Sequence, residues 1–376
     1  MITGIRVLLS LAVLACSPGV APADTASLEA GARQVAVRVA PGVHVLHQAE
    51  VFQPAPIGNV TVIEQVDGLV LVDTGGSRGE GERVVALVRE ISPKPVKAVV
   101  ITHWHNDHPL GLSAILAAWP EAEVISTVRA ADDIRSGLLG DLPTYPDPEW
   151  DAARSARMLE LAAEYAAEAE GPGLTDEERR GWLGVAAVAR MRAADVPGTY
   201  IVAPSVTFTD RLLIDDPVAP IEILQPGRAN TDGDAIVWLP TQRVLVAGDV
   251  VVSPIPFAFN VYPAEWMEVI EQLKAYDFVV LVPGHGLPMH DHAYLDQLLG
   301  AMTDVRTQVA ALVAMGRTPE QVAAEADFEA QRALFAGESV WMRRWFDRYW
   351  LTPFLSSADR EARGEPLGPP VPEPES

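Results

Sequence analysis

The sequence predicts an α+β protein, with sheet covered by helices. Short apolar runs alternate with helical periodicities over residues 35–126 and again over 205–282. A stretch rich in Ala, Glu and Arg, about 129–194, interrupts that rhythm, and from Tyr294 onward the pattern is mostly helical.

In chain order, residues 43–46 and 59–64 read as strands, the second enriched in β-branched side chains. Asp67-Gly68 is a turn, and 69–72 is a buried strand ending at Asp73-Thr74-Gly75-Gly76. Residues 83–91 carry apolar side chains at helical spacing until Pro93 and Pro95 stop them. A second buried strand covers 98–101, a helix 112–119 and a strand 123–126. In the interrupting stretch, Met158, Leu161, Ala162 and Tyr165 share a helical face, Gly171-Pro172-Gly173 divides it, and Thr175-Asp176-Glu177-Glu178 reads as a helix start. It is either a helical insertion near the active face or a solvated hairpin with only a packing role. Strands resume at 205–208 and 221–224, and those at 235–239 and 244–247 flank a turn at Pro240-Thr241-Gln242. A helix over 265–276 and a strand over 278–282 follow. The expected organisation is a leader over 1–23, a main domain over 24–300 containing the insertion, C-terminal helices over 301–362, and a Pro-rich, acidic, disordered tail over 363–376.

Composition narrows the function classes. Among 376 residues, 49% are hydrophobic and 21% charged, which fits a chain with a sizeable core and excludes a mostly disordered one. Lys and Arg number 28 against 51 Asp and Glu, a net charge of −23. Such a surface repels nucleic acid and anionic membranes, so the expected partner is a small-molecule substrate. The one cysteine, Cys16, excludes a disulfide framework and a Cys-based zinc knuckle. A short positive start precedes an apolar block over 7–15, of signal-peptide length and too short to span a bilayer. Ala21-Pro22-Ala23 before Asp24 suits secretory cleavage, whereas Val13-Leu14-Ala15-Cys16 is close to a lipobox that would tether the chain to a membrane through a lipidated Cys16. Either reading makes the protein exported: periplasmic, secreted or lipid-anchored. Oligomeric state is not legible.

The chemistry concentrates in Thr102-His103-Trp104-His105-Asn106-Asp107-His108, directly after a buried strand. His103 and His105 point the same way and can reach one metal, while Asp107 and His108 can turn toward a second. Imidazole and carboxylate suit zinc, iron or manganese. Strand alternation turns Trp104 away from the metals, toward packing.

This H-x-H-x-D-H motif resembles the metallo-β-lactamase superfamily. Asp73-Thr74-Gly75 is similar to the family's strand-end Asp-x-Gly, Gly248-Asp249 to its bridging aspartate, and Pro283-Gly284-His285-Gly286 to its last histidine ligand. The resemblance covers roughly residues 35–289, apart from the insertion. It implies a four-layer αβ/βα sandwich with ligands along one edge. It also implies one or two zinc ions, or another divalent metal, with His103, His105 and Asp249 on the first and Asp107, His108, His285 and the shared Asp249 on the second. The family's third histidine is replaced here by Asn230, within Gly227-Arg228-Ala229-Asn230-Thr231-Asp232-Gly233-Asp234. An amide oxygen is a poorer zinc ligand than imidazole, so the first site should be weaker, completed by water, or suited to a harder cation. Asp232 and Asp234 read as turn and strand-start residues, and His44, His47, His290 and His292 as surface or capping residues. The apolar loop Pro254-Ile255-Pro256-Phe257-Ala258-Phe259-Asn260 either lines a substrate pocket or packs in the core.

The resemblance implies a metal-dependent hydrolase in which a metal-activated water attacks a small ester, lactone or lactam-type substrate, with Asp107 orienting that water. The alternative is a non-catalytic metal- or ligand-binding protein on a decayed form of the fold. Export has a direct test. Mass spectrometry of the natively expressed protein should find the mature N-terminus at Cys16 or Asp24, and an intact Met1 on the bulk of the protein would refute export.

Overall fold

A computed structural model describes residues 25–49 and 57–368. The leader with Cys16, and residues 369–376 of the tail, lie outside the described residues. Two mixed sheets carry the strands. The first joins β1 (Gln34–Ala40), β2 (Val43–Gln48), β3 (Val60–Glu64), β4 (Leu69–Val72), β5 (Val96–Val100), β6 (Glu123–Thr127) and β7 (Val206–Phe208) in that spatial order. In the second, β8 (Arg211–Ile214), β9 (Ile221–Leu224), β10 (Ile236–Leu239), β11 (Val244–Val252) and β12 (Val280–His285) likewise lie in chain order. β8 is an addition to the sequence reading. It is a short, half-exposed edge strand whose Arg-Leu-Leu-Ile carries no turn or alternation signal of its own.

Why these runs pack as layers follows from their period of two. Val70 and Val72 of β4, Ala98 and Val100 of β5, Val244 and Val246 of β11, and Val280 and Val282 of β12 meet in one cluster between the sheets. Their neighbours face outward. Leu69, Leu71, Val99 and Ile101 pack under Val84 and Val88 of α2 (Arg78–Ile91), after α1 (Thr25–Ala32), and under Leu112 and Ile115 of α3 (Leu112–Ala118). Strands buried on both faces read as continuous apolar runs, which is how they appear in the sequence. Leu245, Ala247 and Leu281 face the other way, against a third cluster built from helices later in the chain. The result is the helix–sheet–sheet–helix sandwich.

The stretch between β6 and β7 forms α4 (Val128–Arg135), α5 (Pro148–Glu168) and α6 (Asp176–Asp195). α6 starts at Thr175, whose hydroxyl accepts from the Glu178 N–H while the Glu178 carboxylate accepts from the Thr175 N–H. Its far end is pinned to α2 by Arg83, which donates to both carboxylate oxygens of Asp195 at 2.8 Å. α7 (Pro263–Lys274) covers the second sheet, and α8 (Ala293–Ala314) runs through residue 300, so the C-terminal helices begin earlier than the boundary expected there. α9 (Pro319–Glu325), α10 (Glu329–Ala336), α11 (Val340–Phe346) and α12 (Thr352–Arg363) complete the chain, with a single π-helical turn over Asp347–Leu351 between the last two.

The insertion and the C-terminal helices meet at an aromatic stack. Trp182 of α6 lies 5.2 Å edge-on from Trp341, which is 5.4 Å from Trp345, and Trp345 stacks on Tyr349 at 5.1 Å. Gly181 permits this approach, because a β-carbon there would come within 2.2 Å of the Trp341 ring. Gly181→Ala should therefore destabilise the chain by about 1–3 kcal/mol in guanidinium denaturation. An unchanged midpoint would contradict the close contact between α6 and α11.

Candidate metal centre and adjoining cavity

The centre forms where parallel strand pairs end. β4 pairs with β5 and β11 with β12, both in parallel, so the residues following β4 and β5 come together with the ends of β11 and β12. Asn59 stitches the two sheets there: its Nδ2 donates to the carbonyls of Pro283 and Gly286, each at 2.9 Å. Asp249 lies within β11 rather than after it. Gly284 gives it room, since a β-carbon at that position would stand 1.9 Å from Asp249 Oδ1.

All seven residues singled out in the sequence converge. His103, His105 and Asp249 form one group that could hold a metal, and Asp107, His108 and His285 a second; within each, one ligand atom per residue lies within 4.8 Å of the others. Asp249 also reaches the second group, with Oδ1 3.3 Å from His108 Nε2 and 3.4 Å from His285 Nε2. Asn230 is fully buried, its Nδ2 3.4 Å from His105 Nδ1, while its Oδ1 has no hydrogen-bond partner. Half a turn of the amide exchanges the two atoms and presents the oxygen instead.

Anchors behind the imidazoles orient them. The Thr102 hydroxyl donates to Asp73 Oδ2 at 2.8 Å, so its oxygen is left to accept from His103 Nδ1 at 3.0 Å. His108 Nδ1 donates to Asp73 Oδ2 at 2.9 Å, and His285 Nδ1 to the Ile57 carbonyl at 3.1 Å. A proton held on Nδ1 leaves the Nε2 lone pair facing the centre.

The forward atoms fit a cation. His108 Nε2 and Asp249 Oδ1 are buried 3.3 Å apart with no hydrogen-bond partner, and His285 Nε2 lies 3.4 Å from Asp249 Oδ1 and 3.0 Å from Asp107 Oδ2. Unpaired buried polar atoms are costly, and imidazole nitrogens with carboxylate oxygens are a donor set for a divalent metal. The charge balance agrees. Burial alone would push the Asp249 carboxyl up, but His285, His108 and His103 hold it well below the usual carboxylate range. Burial presses His285 down, yet the carboxylates of Asp249 and Asp107 outweigh it and hold the ring up to about 9. Two buried carboxylates thus demand positive charge, and a bound dication would supply it as these rings give up their protons.

The remaining candidates fall outside. His44 and His47 lie on β2, His290 Nδ1 donates to the Val279 carbonyl, and His292 packs against Phe278; none joins a metal group among the described residues. Asp234 accepts from the Thr231 N–H and hydroxyl, a local turn. Trp104 packs against the cluster under α2 and α3, as expected, and has a second role beside it. The segment after Ile101 is a turn, so strand alternation does not govern it, and Trp104 contacts the His105 ring and lines the cavity.

That cavity, about 390 Å³, opens beside His105, Asp107 and Asp249. The loop after β11 serves both of its expected roles: Phe257 and Phe259 wall the cavity, while Ile255 and Ala258 belong to the core. Sequence reasoning missed Leu138, Leu139, Arg192 and Tyr349, which the insertion and the π-helical turn bring to the same wall. No local motif marks them. A π-helical turn often accompanies a functional site, but it is not readable from Asp-Arg-Tyr-Trp-Leu.

The weak first site yields a test. Asn230→His would complete three imidazoles with His103 and His105, and zinc affinity should rise by about ten- to a hundredfold, with stoichiometry moving toward two per chain. If titration finds zinc bound no more tightly and in no greater amount, Asn230 does not face the metal.

Residues 54–317 match the family model described as the metallo-beta-lactamase superfamily. A linear primary-alkylsulfatase of Pseudomonas sp. (strain ATCC 19151) is 28% identical over 274 residues, 69% of this chain. The chain spans about half the length of that curated relative, 48%. Among solved structures, the stereoselective inverting sec-alkylsulfatase Pisa1 from Pseudomonas sp. superposes with a TM-score of 0.54 at 19% identity, over 89% of this chain and 52% of that one. A metallo-beta-lactamase from Pontibacter korlensis gives 0.48 at 20% identity, over 72% and 99%. With the matched family model spanning most of the chain and the sandwich in agreement with it, the chain belongs to the metallo-β-lactamase superfamily.

Proposed function

We propose that the protein is an exported, zinc-dependent hydrolase of a small ester-type substrate: a carboxylic ester, lactone or lactam, or a sulfate ester as the alkylsulfatase relative suggests. The observation that carries the reading is the convergence of four imidazoles and two carboxylates, with unpaired atoms facing inward, at the floor of an open cavity. The leader, read from sequence, supports export.

His103, His105, Asp249 and the Asn230 amide would hold one ion, and Asp107, His108, His285 and Asp249 a second. Zinc there supplies an acidified water and a Lewis acid toward the substrate's oxygen. The chain's own groups do the rest. Asp107 lines the cavity, and although burial works against it, His108 and His285 hold its carboxyl well below the usual range. It is an acceptor at neutral pH and orients the attacking water. Burial pushes the Tyr349 phenol above its ordinary value, against the pull of Arg192 and Arg348, so its hydroxyl stays protonated and can donate to a substrate oxygen. Phe257, Phe259 and Trp104 shed water from the reacting bond and favour an apolar group beside it.

A second reading, a non-catalytic metal- or ligand-binding protein, rests on Asn230 alone. One experiment separates the two. Zinc-loaded protein is assayed on lactam, lactone, carboxylic ester and primary alkyl sulfate substrates, before and after chelation, beside His285→Ala. Turnover that chelation and His285→Ala abolish, and zinc restores in the parent, supports the hydrolase. Zinc binding with no turnover supports the second reading, and undiminished turnover in His285→Ala removes that residue from the centre.

A further inference from the structure

The cavity over the metal groups is one of two adjoining lobes. A second lobe, about 260 Å³, shares Asn106, Asp107, Leu139, Arg192 and Tyr349 with the first and extends away from the histidines, under α5 and α6. Arg154 of α5, Arg192 of α6 and Arg348 of the π-helical turn all line this second lobe. The carboxylates on it are Asp107, which faces the metal groups, and Asp141. In a chain with 28 basic residues against 51 acidic ones, three arginines from three separate elements in one small cavity run against the composition.

We propose that this lobe binds a carboxylate carried by the substrate at a distance from the bond that is cleaved. Guanidinium groups present paired N–H donors that match a carboxylate, and they stay charged across the accessible pH range. Leu161 and Val188 supply an apolar lining beside them. Arg192 lies at the junction of the lobes, lining both. Arg154 and Arg348 are exposed; Arg348 keeps its guanidinium 5.5 Å over the Trp345 ring. The substrate then spans both lobes, its scissile group and an apolar portion against Phe257 and Phe259, its carboxylate against the arginines. This deepens the hydrolase reading by naming the substrate class, an anionic ester or its cyclic or amide counterpart.

The test reads binding without turnover. Calorimetry compares glutaric acid monoanilide with butyranilide, a neutral probe of similar shape, on the zinc-loaded full chain and on Arg154→Gln, Arg348→Gln and the double variant. The anionic probe should bind the parent at least about tenfold more tightly, the weight of one charge-assisted hydrogen bond. Each single variant should lose part of that preference and the double variant most of it, with unchanged denaturation midpoints because both side chains are exposed. The proposal fails if the two probes bind alike, if neither binds at millimolar concentration, or if the preference survives in the double variant, which would put the carboxylate on the zinc instead. A chain that binds by this pattern yet cleaves nothing loses the hydrolase reading and keeps this one. A chain that cleaves neutral esters and binds both probes alike loses this one alone.

Discussion

Asp73 is the constraint on which the centre depends. It ends β4 with a positive φ of 63° and is almost fully buried. Its carboxylate accepts from the Thr102 N–H at 2.9 Å, the Thr102 hydroxyl at 2.8 Å and His108 Nδ1 at 2.9 Å. Next to it, the Thr74 hydroxyl donates to the His108 carbonyl at 2.7 Å. One buried anion therefore fixes the start and the end of the histidine loop and sets two rings by their Nδ1 atoms, directly for His108 and through Thr102 for His103. A backbone held outside the comfortable range for a side-chain-bearing residue is tolerable where several hydrogen bonds over-determine it. Removing the carboxylate would strand buried donors and free both rings at once.

Around that anchor the charges are arranged in opposition. The metal groups gather carboxylate and imidazole where little water reaches, an arrangement stable only with added positive charge. The chain as a whole, with a net charge of −23, draws cations toward the molecule. The second lobe does the reverse with its arginines. The two lobes meet at the shared wall of Asn106, Asp107 and Tyr349.

The sheets and the convergence of the seven candidate side chains were legible because their signals are local. Residues 69–72 and 98–101 are apolar on both faces, and each ends in a residue that cannot continue a buried strand without a purpose, Asp73 in one case and the Thr102–His108 run in the other. Asn230 was recognisable by its place ahead of β10, and its burial against His105 agrees with that placement. The cavity was not legible. Arg192 sits among polar and small residues of α6, and Tyr349 and Arg348 follow an ordinary amphipathic helix more than a hundred residues beyond it. The aromatic stack from Trp182 to Tyr349, made possible by Gly181, and the Ala258 N–H to Tyr349 carbonyl bond help bring them beside Asp107. Trp104 packs as expected but also reaches the cavity, because alternation holds only within a strand and the chain has already left β5.

The central claim is that these side chains hold metal where the geometry gathers them. Its most direct test is a crystal structure of the zinc-equilibrated protein with anomalous data on both sides of the zinc edge. The account predicts a strong peak bounded by Asp107, His108, His285 and Asp249, and a weaker one bounded by His103, His105, Asp249 and Asn230. An anomalous map with no peak among these residues, or with zinc held elsewhere on the chain, would contradict it.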